Sequence, residues 1–149
     1  MNIPGTVSEI LDRKRSNVWS VAPDSTVFQA IQTMANKNVG ALPVLDGDRL
    51  VGIISERDYT RKVILKGRSS KDTTVREIMS PDPHVGGLED TVVDCMRLMT
   101  QRKIRHLPIL IAGEMVGIVS IGDLVNWIIS TQAVAIDQLE KYITGAYPA

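Results

Sequence analysis

Ala41–Asp58 reads ALPVLDGDRLVGIISERD, and 65 residues further on His106–Asp123 reads HLPILIAGEMVGIVSIGD. Leu-Pro, Val-Gly-Ile and Ser-x-x-Asp stay in phase between the two stretches, together with the apolar positions around them. The match continues without a gap from Thr26–Ile64 onto Thr91–Ile129, pairing Thr26 with Thr91 and Met34 with Met99. Upstream, Val7-Ser-Glu-Ile-Leu11 echoes Val75-Arg-Glu-Ile-Met79, with a small difference in spacing. Repetition at a fixed period marks one supersecondary unit used twice. The chain therefore divides into a half-module over 7–66, a polar linker over 67–74 (GRSSKDTT), a second half-module over 75–130 and a tail over 131–149.

Each half carries the same order of elements. Val27, Ala30, Ile31, Met34 and Ala35 recur at helical spacing behind Ser25 as N-cap, and Val92, Cys95, Met96 and Met99 repeat the stripe behind Asp90. Short, nearly continuous apolar strands follow at Leu42–Leu45 and Leu50–Ile54, and again at Leu107–Ile111 and Met115–Val119. Such strands are expected to be covered on both faces. The turns Asp46-Gly47-Asp48 and Ala112-Gly113-Glu114 suit hairpins. A second helix starts after Ser55 and runs to about Lys66, and its twin starts after Ser120 and runs to about Ser130. Extended segments precede each half at Val18–Val21 and His84–Val85. A further tail helix over Thr131–Ile143 carries Ile136, Leu139, Tyr142 and Ile143 on one face, a stripe that must be buried within the chain or in a partner.

At 149 residues the chain is long enough for a real core shared by two small halves. Its formal net charge is zero, which argues against nonspecific nucleic-acid binding. No apolar run approaches the roughly 18–20 residues that cross a bilayer, and the N-terminus shows no basic-then-apolar export signal. The single cysteine, Cys95, excludes an intramolecular disulfide and falls on an apolar helix stripe, where a core thiol is expected. These features favour a cytoplasmic protein. His84 and His106 lack metal-ligand spacing to each other or to Cys95, and there is no P-loop, G-x-G-x-x-G or G-x-S-x-G motif. Neither a metal site nor an enzyme is expected.

The repeated polar residues read in two ways. Ser55-Glu-Arg-Asp58 and Ser120-Ile-Gly-Asp123 sit at strand-to-helix junctions, where Ser and Asp can form a capping box. The same Asp can hold two vicinal hydroxyls of a ribose, beside a helix N-terminus that favours anions; one residue can serve both roles. Arg105-His106 precedes the second Leu-Pro where Gly40-Ala41 precedes the first. Arg there offers a bidentate grip on phosphate, whereas Gly removes bulk and lets a flat ring approach. Arg57 and Arg61 stand in the first turns of a helix, an unfavourable place for cations unless an anion is near. Lys66, Arg68 and Lys71 could close over a phosphate or be ordinary solvated linker charges, and Trp19 and Trp127 could stack on a base or pack in a core or interface.

Two in-register copies of Leu-Pro-hydrophobic followed by Val-Gly-Ile-hydrophobic-Ser-x-x-Asp resemble a tandem pair of CBS domains, a Bateman module, over about Val7–Ile129. The resemblance implies an α/β (α+β) fold of two pseudosymmetric β-α-β-β-α half-modules packed through their sheets, with a C-terminal helix added. It also implies a stand-alone CBS-pair protein with two clefts that commonly bind adenine nucleotides: AMP, ADP, ATP, S-adenosylmethionine or NAD-type dinucleotides. By resemblance, Ser55, Arg57 and Asp58 serve the first cleft with Arg105 and His106, and the adenine lies along Pro83, His84 and Val85. Ser120 and Asp123 serve the second, completed by Val39, Gly40 and Ala41 and by Val18, Trp19 and Ser20. The implied role is a homodimeric nucleotide sensor that regulates an unknown partner protein. The alternative is a structural adaptor that binds only protein.

Overall fold

A computed structural model of the protein describes residues 3–15 and 17–144. Helix α1 spans Val7–Lys14 and α2 spans Val27–Lys37. Strands β1 (Ala41–Asp46) and β2 (Arg49–Ser55) lead into α3 (Glu56–Tyr59), which continues as a π-helical turn over Thr60–Ile64. The second repeat supplies α4 (Val75–Ile78), β3 (Ser80–Pro81), α5 (Val92–Arg102), β4 (His106–Ile111), β5 (Glu114–Ser120) and α6 (Ile121–Ile143).

The hairpins repeat down to their irregularities. Ala41 pairs with Ser55 and His106 with Ser120, and each ladder shifts register at the same place, Val44/Leu45 and Ile109/Leu110. At each shift an incoming chain lies on the outer edge. Val21 bridges Val44 and Gly86 bridges Ile109, each in parallel sense. The Val21 amide donates to Pro43 O and the Gly86 amide to Pro108 O, prolines that have no amide of their own to offer. Both loops have two residues. Gly47 (φ 62°) takes the first central position of one, and Ala112 (φ 50°) and Gly113 (φ 83°) are both left-handed in the other. β1 and β4 are buried on both faces, over 41–44 and 107–109, whereas along β2 and β5 only alternate residues are buried, Gly52 and Ile54 or Gly117 and Val119, and Val116 is exposed. The expectation that both faces are covered is met only in part.

Thr26 and Thr91 are the N-caps of α2 and α5, one residue later than the expected Ser25 and Asp90. Each Thr hydroxyl accepts from the N3 amide while the N3 side chain, Gln29 or Asp94, accepts from the cap amide. Ser25 and Asp90 serve elsewhere: Ser25 O accepts from the Val75 amide, and the Asp90 carboxylate accepts from the Gly87 amide. Ala35, expected on the buried stripe, is exposed.

The two repeats exchange their leading helices. Val7 and Ile10 of α1 are buried with Val92, Met99, Leu107, Ile109, Val119 and Leu124 of the second repeat. Val75 and Ile78 of α4 are buried with Val27, Met34, Leu42, Val44 and Ile54 of the first. Each fully buried aliphatic side chain contributes roughly 1.5–3 kcal/mol, so neither core is complete without the other repeat. The exchange explains the repeated Val-Gly-Ile. A Cβ on Gly52 would meet Met79 Sδ at 2.5 Å and Ser80 O at 2.9 Å, and one on Gly117 would meet Leu11 Cδ1 and Cδ2 at 2.9 Å. The linker is docked rather than free: the Ser70 and Thr73 carbonyls accept the amides of Phe28 and Val27, which α2 cannot satisfy itself.

Three features break the symmetry. α1 runs eight residues but α4 only four, because Pro81 and Pro83 disfavour helix in the residues before them. The freed chain pairs with β2 as β3, Ile53 opposite Ser80. The first repeat's last helix passes into a π-helical turn, whereas α6 is one continuous helix of 23 residues. The helix expected to end near Ser130 and the separate tail helix are therefore a single element. Leu124 and Trp127 of α6 are buried, but Val134, Ile136, Leu139 and Ile143 are exposed. Among the described residues the tail stripe is not buried within the chain, and the Tyr142 side chain lies outside those residues. Cys95 is a buried core thiol, its pKa pushed up to about 11, chiefly by burial.

Candidate functional site

Both Ser-x-x-Asp motifs form capping boxes. The Ser55 amide donates to Asp58 Oδ2 at 2.9 Å and the Asp58 amide donates to Ser55 Oγ at 3.2 Å. The Ser120 amide and Asp123 Oδ2 stand 2.8 Å apart, with the Asp123 amide 3.1 Å from Ser120 Oγ. The caps hold one oxygen of each carboxylate and so fix where the other points. They are built alike, yet their surroundings differ.

Around Asp58 lies a cleft of about 740 Å³ between the two repeats, within the size range of small-molecule sites. The first repeat contributes Gly40 and the β2–α3 junction, and the second contributes 80–84 and 103–106. Arg57, Arg61 and Lys62 enter it from one side and Lys103 and Arg105 from the other, against Glu56, Asp58 and Asp82. The cleft is thus cationic in a chain of zero formal charge. Lys62 Nζ pairs with Asp58 Oδ1 at 3.1 Å and donates to Ile78 O at 2.9 Å. Arg57, Arg61, Lys103 and Arg105 make no ion pair among the described residues. Such an arrangement suits a ligand with a diol at one end and more than one negative charge at the other.

Asp123 has no such company. Lys14 Nζ, reaching from the end of α1, contacts Asp123 Oδ2 at 2.9 Å and Ile118 O at 3.0 Å. The 65-residue repeat puts Gly122 opposite Arg57, Asn126 opposite Arg61, Trp127 opposite Lys62, Asn38 opposite Lys103 and Gly40 opposite Arg105. Every cation of the first cleft thus has an uncharged counterpart. Asn38 and Lys103 even share the left-handed position that ends α2 and α5, both at φ 55°.

Ser55, Arg57, Asp58, Pro83, His84, Arg105 and His106, all assigned by resemblance to the first cleft, line this one cavity. Val85 does not line it. Gly40, assigned to the second cleft, lies in the first instead, where His106 Nε2 is 3.8 Å from the place its Cβ would occupy. Gly40, just before β1, lies beside His106 at the start of β4. His106 faces both clefts: burial first, then Lys14, hold its pKa below the ordinary value, with Asp123 opposing. Of the second group, Val39 packs against the first core, Ala41 is buried in β1, and Val18 and Ser20 precede the Val21 bridge. Trp19 stacks beneath Lys37, 4.0 Å from Nζ to ring centre. Trp127 is a core residue whose indole N–H donates to Pro4 O at 2.8 Å. Arg68 pairs with Glu77 and Lys71 lies over Phe28, so neither linker cation lines the cleft. Sequence reasoning pointed Arg61 toward an anion without placing it in the cleft, and it missed Lys62, Asp82 and Lys103. The available signal was the run of charged-to-neutral replacements between repeats.

Among the described residues no group of three or more His, Cys, Asp or Glu could hold a metal ion, and no helix is long and apolar enough to cross a membrane. The CBS domain family model matches twice, at 7–64 and 75–130. The chain is 38% identical to the mitochondrial CBS domain-containing protein CBSX3 of Arabidopsis thaliana, over 95% of this chain and 73% of that protein. It is 36% identical to the CBS domain-containing protein YhcV of Bacillus subtilis, over 79% and 84%. The fold is similar to that of a candidate signal-transduction protein with CBS domains from Burkholderia ambifaria, with TM-score 0.82 and 44% identity over 85% of this chain and 96% of that one. With two matches in tandem and two hairpin cores that exchange their leading helices, this chain belongs to the CBS-domain family as a pair of CBS domains.

Proposed function

We propose that the protein is a regulatory module that binds an adenine nucleotide, of the AMP, ATP or NAD type, in the cleft around Asp58. One observation carries the reading: an oriented carboxylate and four cations that make no ion pair among the described residues share a single cleft between the repeats. Asp58 takes the ribose hydroxyls, with Lys62 yielding part of its contact. Arg57, Arg61, Lys103 and Arg105 take the phosphates, which favours ligands with two or more phosphates. Because the cleft has one wall in each repeat, binding acts on their relative arrangement. A partner protein reads that change to the extent that the ligand binds the two arrangements differently. The family supplies no catalytic role, and none is proposed.

The test is thermal melting of nucleotide-free protein with AMP, ADP, ATP, NAD, NADH and S-adenosylmethionine. A ligand at 100 times its Kd adds about 2.7 kcal/mol of stability. The expected result is a shift with ATP or ADP exceeding that with AMP, and its loss in Asp58→Ala. No shift with any of the six would favour the protein-binding adaptor.

A second feature concerns assembly. Ile121, Val125, Ile129, Ile136, Leu139 and Ile143 are exposed along one helix, α6, at spacings of three, four or seven residues. This row supports self-association as a homodimer, the commonest closed oligomer. Light scattering on the intact protein and on Leu139→Glu tests it, with a fall to monomer expected in the variant.

A further inference from the structure

We infer that Lys14 closes the second cleft, so that the chain holds one nucleotide, around Asp58, and not two. The inference rests on the nucleotide reading of the first cleft but comes from a different part of the molecule. In the first repeat the chain after α4 is forced out of helix by Pro81 and Pro83, and the β3 backbone occupies the edge of β2 at Ile53. In the second repeat no proline interrupts α1, which reaches Lys14. There the lysine side chain takes the corresponding edge, donating to the carbonyl of Ile118, the counterpart of Ile53. Its Nζ also lies 2.9 Å from Asp123 Oδ2, the carboxylate whose twin offers the ribose position in the first cleft.

Lys14 and Asp123 are both largely covered, with side-chain exposures of 28% and 21%. A ribose arriving at Asp123 must displace an ammonium held by two acceptors, as one arriving at Asp58 must displace Lys62 from Asp58 Oδ1 and Ile78 O; the difference lies in what surrounds each carboxylate. Nothing nearby repays the exchange, because Gly122, Asn126, Asn38 and Gly40 stand where the first cleft has cations. The leading helix that completes the second core therefore also brings an ammonium to the carboxylate of its ligand position, on the capped oxygen Oδ2. A difference of helix length, set by two prolines, turns two related clefts into one open and one closed.

The experiment counts binding sites on the intact chain by titration calorimetry, with ATP as probe for the first cleft and adenosine for the second. Wild type is expected to bind one ATP; Asp58→Ala loses it and Asp123→Ala keeps it. Lys14→Met preserves the apolar stem while removing the ammonium, and is expected to gain an adenosine site that Lys14→Met/Asp123→Ala lacks. Melting curves check that each variant is folded, and Lys14→Ala serves if Lys14→Met is not. Two ATP sites in wild type, one lost in Asp123→Ala, would overturn the inference and make Lys14 a phosphate contact. An unchanged adenosine count in folded Lys14→Met would also overturn it. If wild type binds no ATP, the reading of the first cleft falls, while adenosine on Lys14→Met still decides the second by itself.

Discussion

The two Ser-x-x-Asp junctions share a cap, a hairpin and a bulge, yet one opens on a cationic cleft of about 740 Å³ and the other on a lysine. The capping box is therefore the part of the motif that the fold needs, because both helix starts require it. What surrounds the carboxylate is free to differ, since Lys103 and Arg105 come from the opposite repeat and Arg57, Arg61 and Lys62 take no part in the cap. Symmetry of backbone does not carry symmetry of chemistry.

The sharpest way to break the comparison is to remove each carboxylate in turn. Asp58→Ala is expected to weaken ATP binding about ten- to a hundred-fold, because a hydrogen bond to an ionised group contributes about 1.5–3 kcal/mol. Asp123→Ala should leave affinity unchanged, as measured by calorimetry. Equal losses would mean that the clefts are equivalent after all.

The glycines sharpen it on the side of stability. Gly52→Ala forces a Cβ against the Ser80 carbonyl, which is backbone and cannot turn aside, as well as against Met79. It should cost about 1–3 kcal/mol in urea unfolding. Gly117→Ala meets only the Leu11 side chain, chiefly its two methyl groups, and no backbone, so it should cost less.

Charge gives a smaller contrast. Arg105→Ala should weaken ATP binding by about two- to five-fold, since its exposed guanidinium makes a screened contact. The loss should shrink as salt is raised and should be smaller for AMP. An identical loss for the two nucleotides would place Arg105 away from the distal phosphates.

The last prediction concerns His106, which borders both clefts. Its folded pKa lies below its ordinary value of 6.5, so the unfolded chain binds more protons between the two values. Stability from this group is complete above pH 6.5 and is lost as pH falls through that window. The melting temperature should decline more steeply on acidification in wild type than in His106→Asn. Because Lys14 contributes to the lowered pKa, Lys14→Met should flatten the decline in part.

Much of the fold was legible from residues. The repeat fixed two equivalent hairpins, and Leu-Pro, Val-Gly-Ile and Ser-x-x-Asp each mark a local event: an edge without an amide, a close approach and a helix cap. The N-caps were misplaced by one residue because Ser25-Thr26 and Asp90-Thr91 offer two competent caps in succession, and only the docked carbonyls of Thr73 and Gly5 select the second. The helix end expected near Ser130 is absent, and the Thr131 hydroxyl donates back to the Ile128 and Trp127 carbonyls within the continuous α6.

By itself the sequence determined the doubling, the order of the repeated strands and helices and the cap at each Asp. Those features follow from neighbours in the chain or from comparing one repeat with the other. Only the tertiary structure decided that α1 completes the second core and α4 the first, that Gly40 faces the open cleft, and that Lys14 sits on Asp123. Lys14 and Asp123 are 109 residues apart. No local propensity links them; they meet because burying Val7 and Ile10 in the far core carries the end of α1 to that carboxylate.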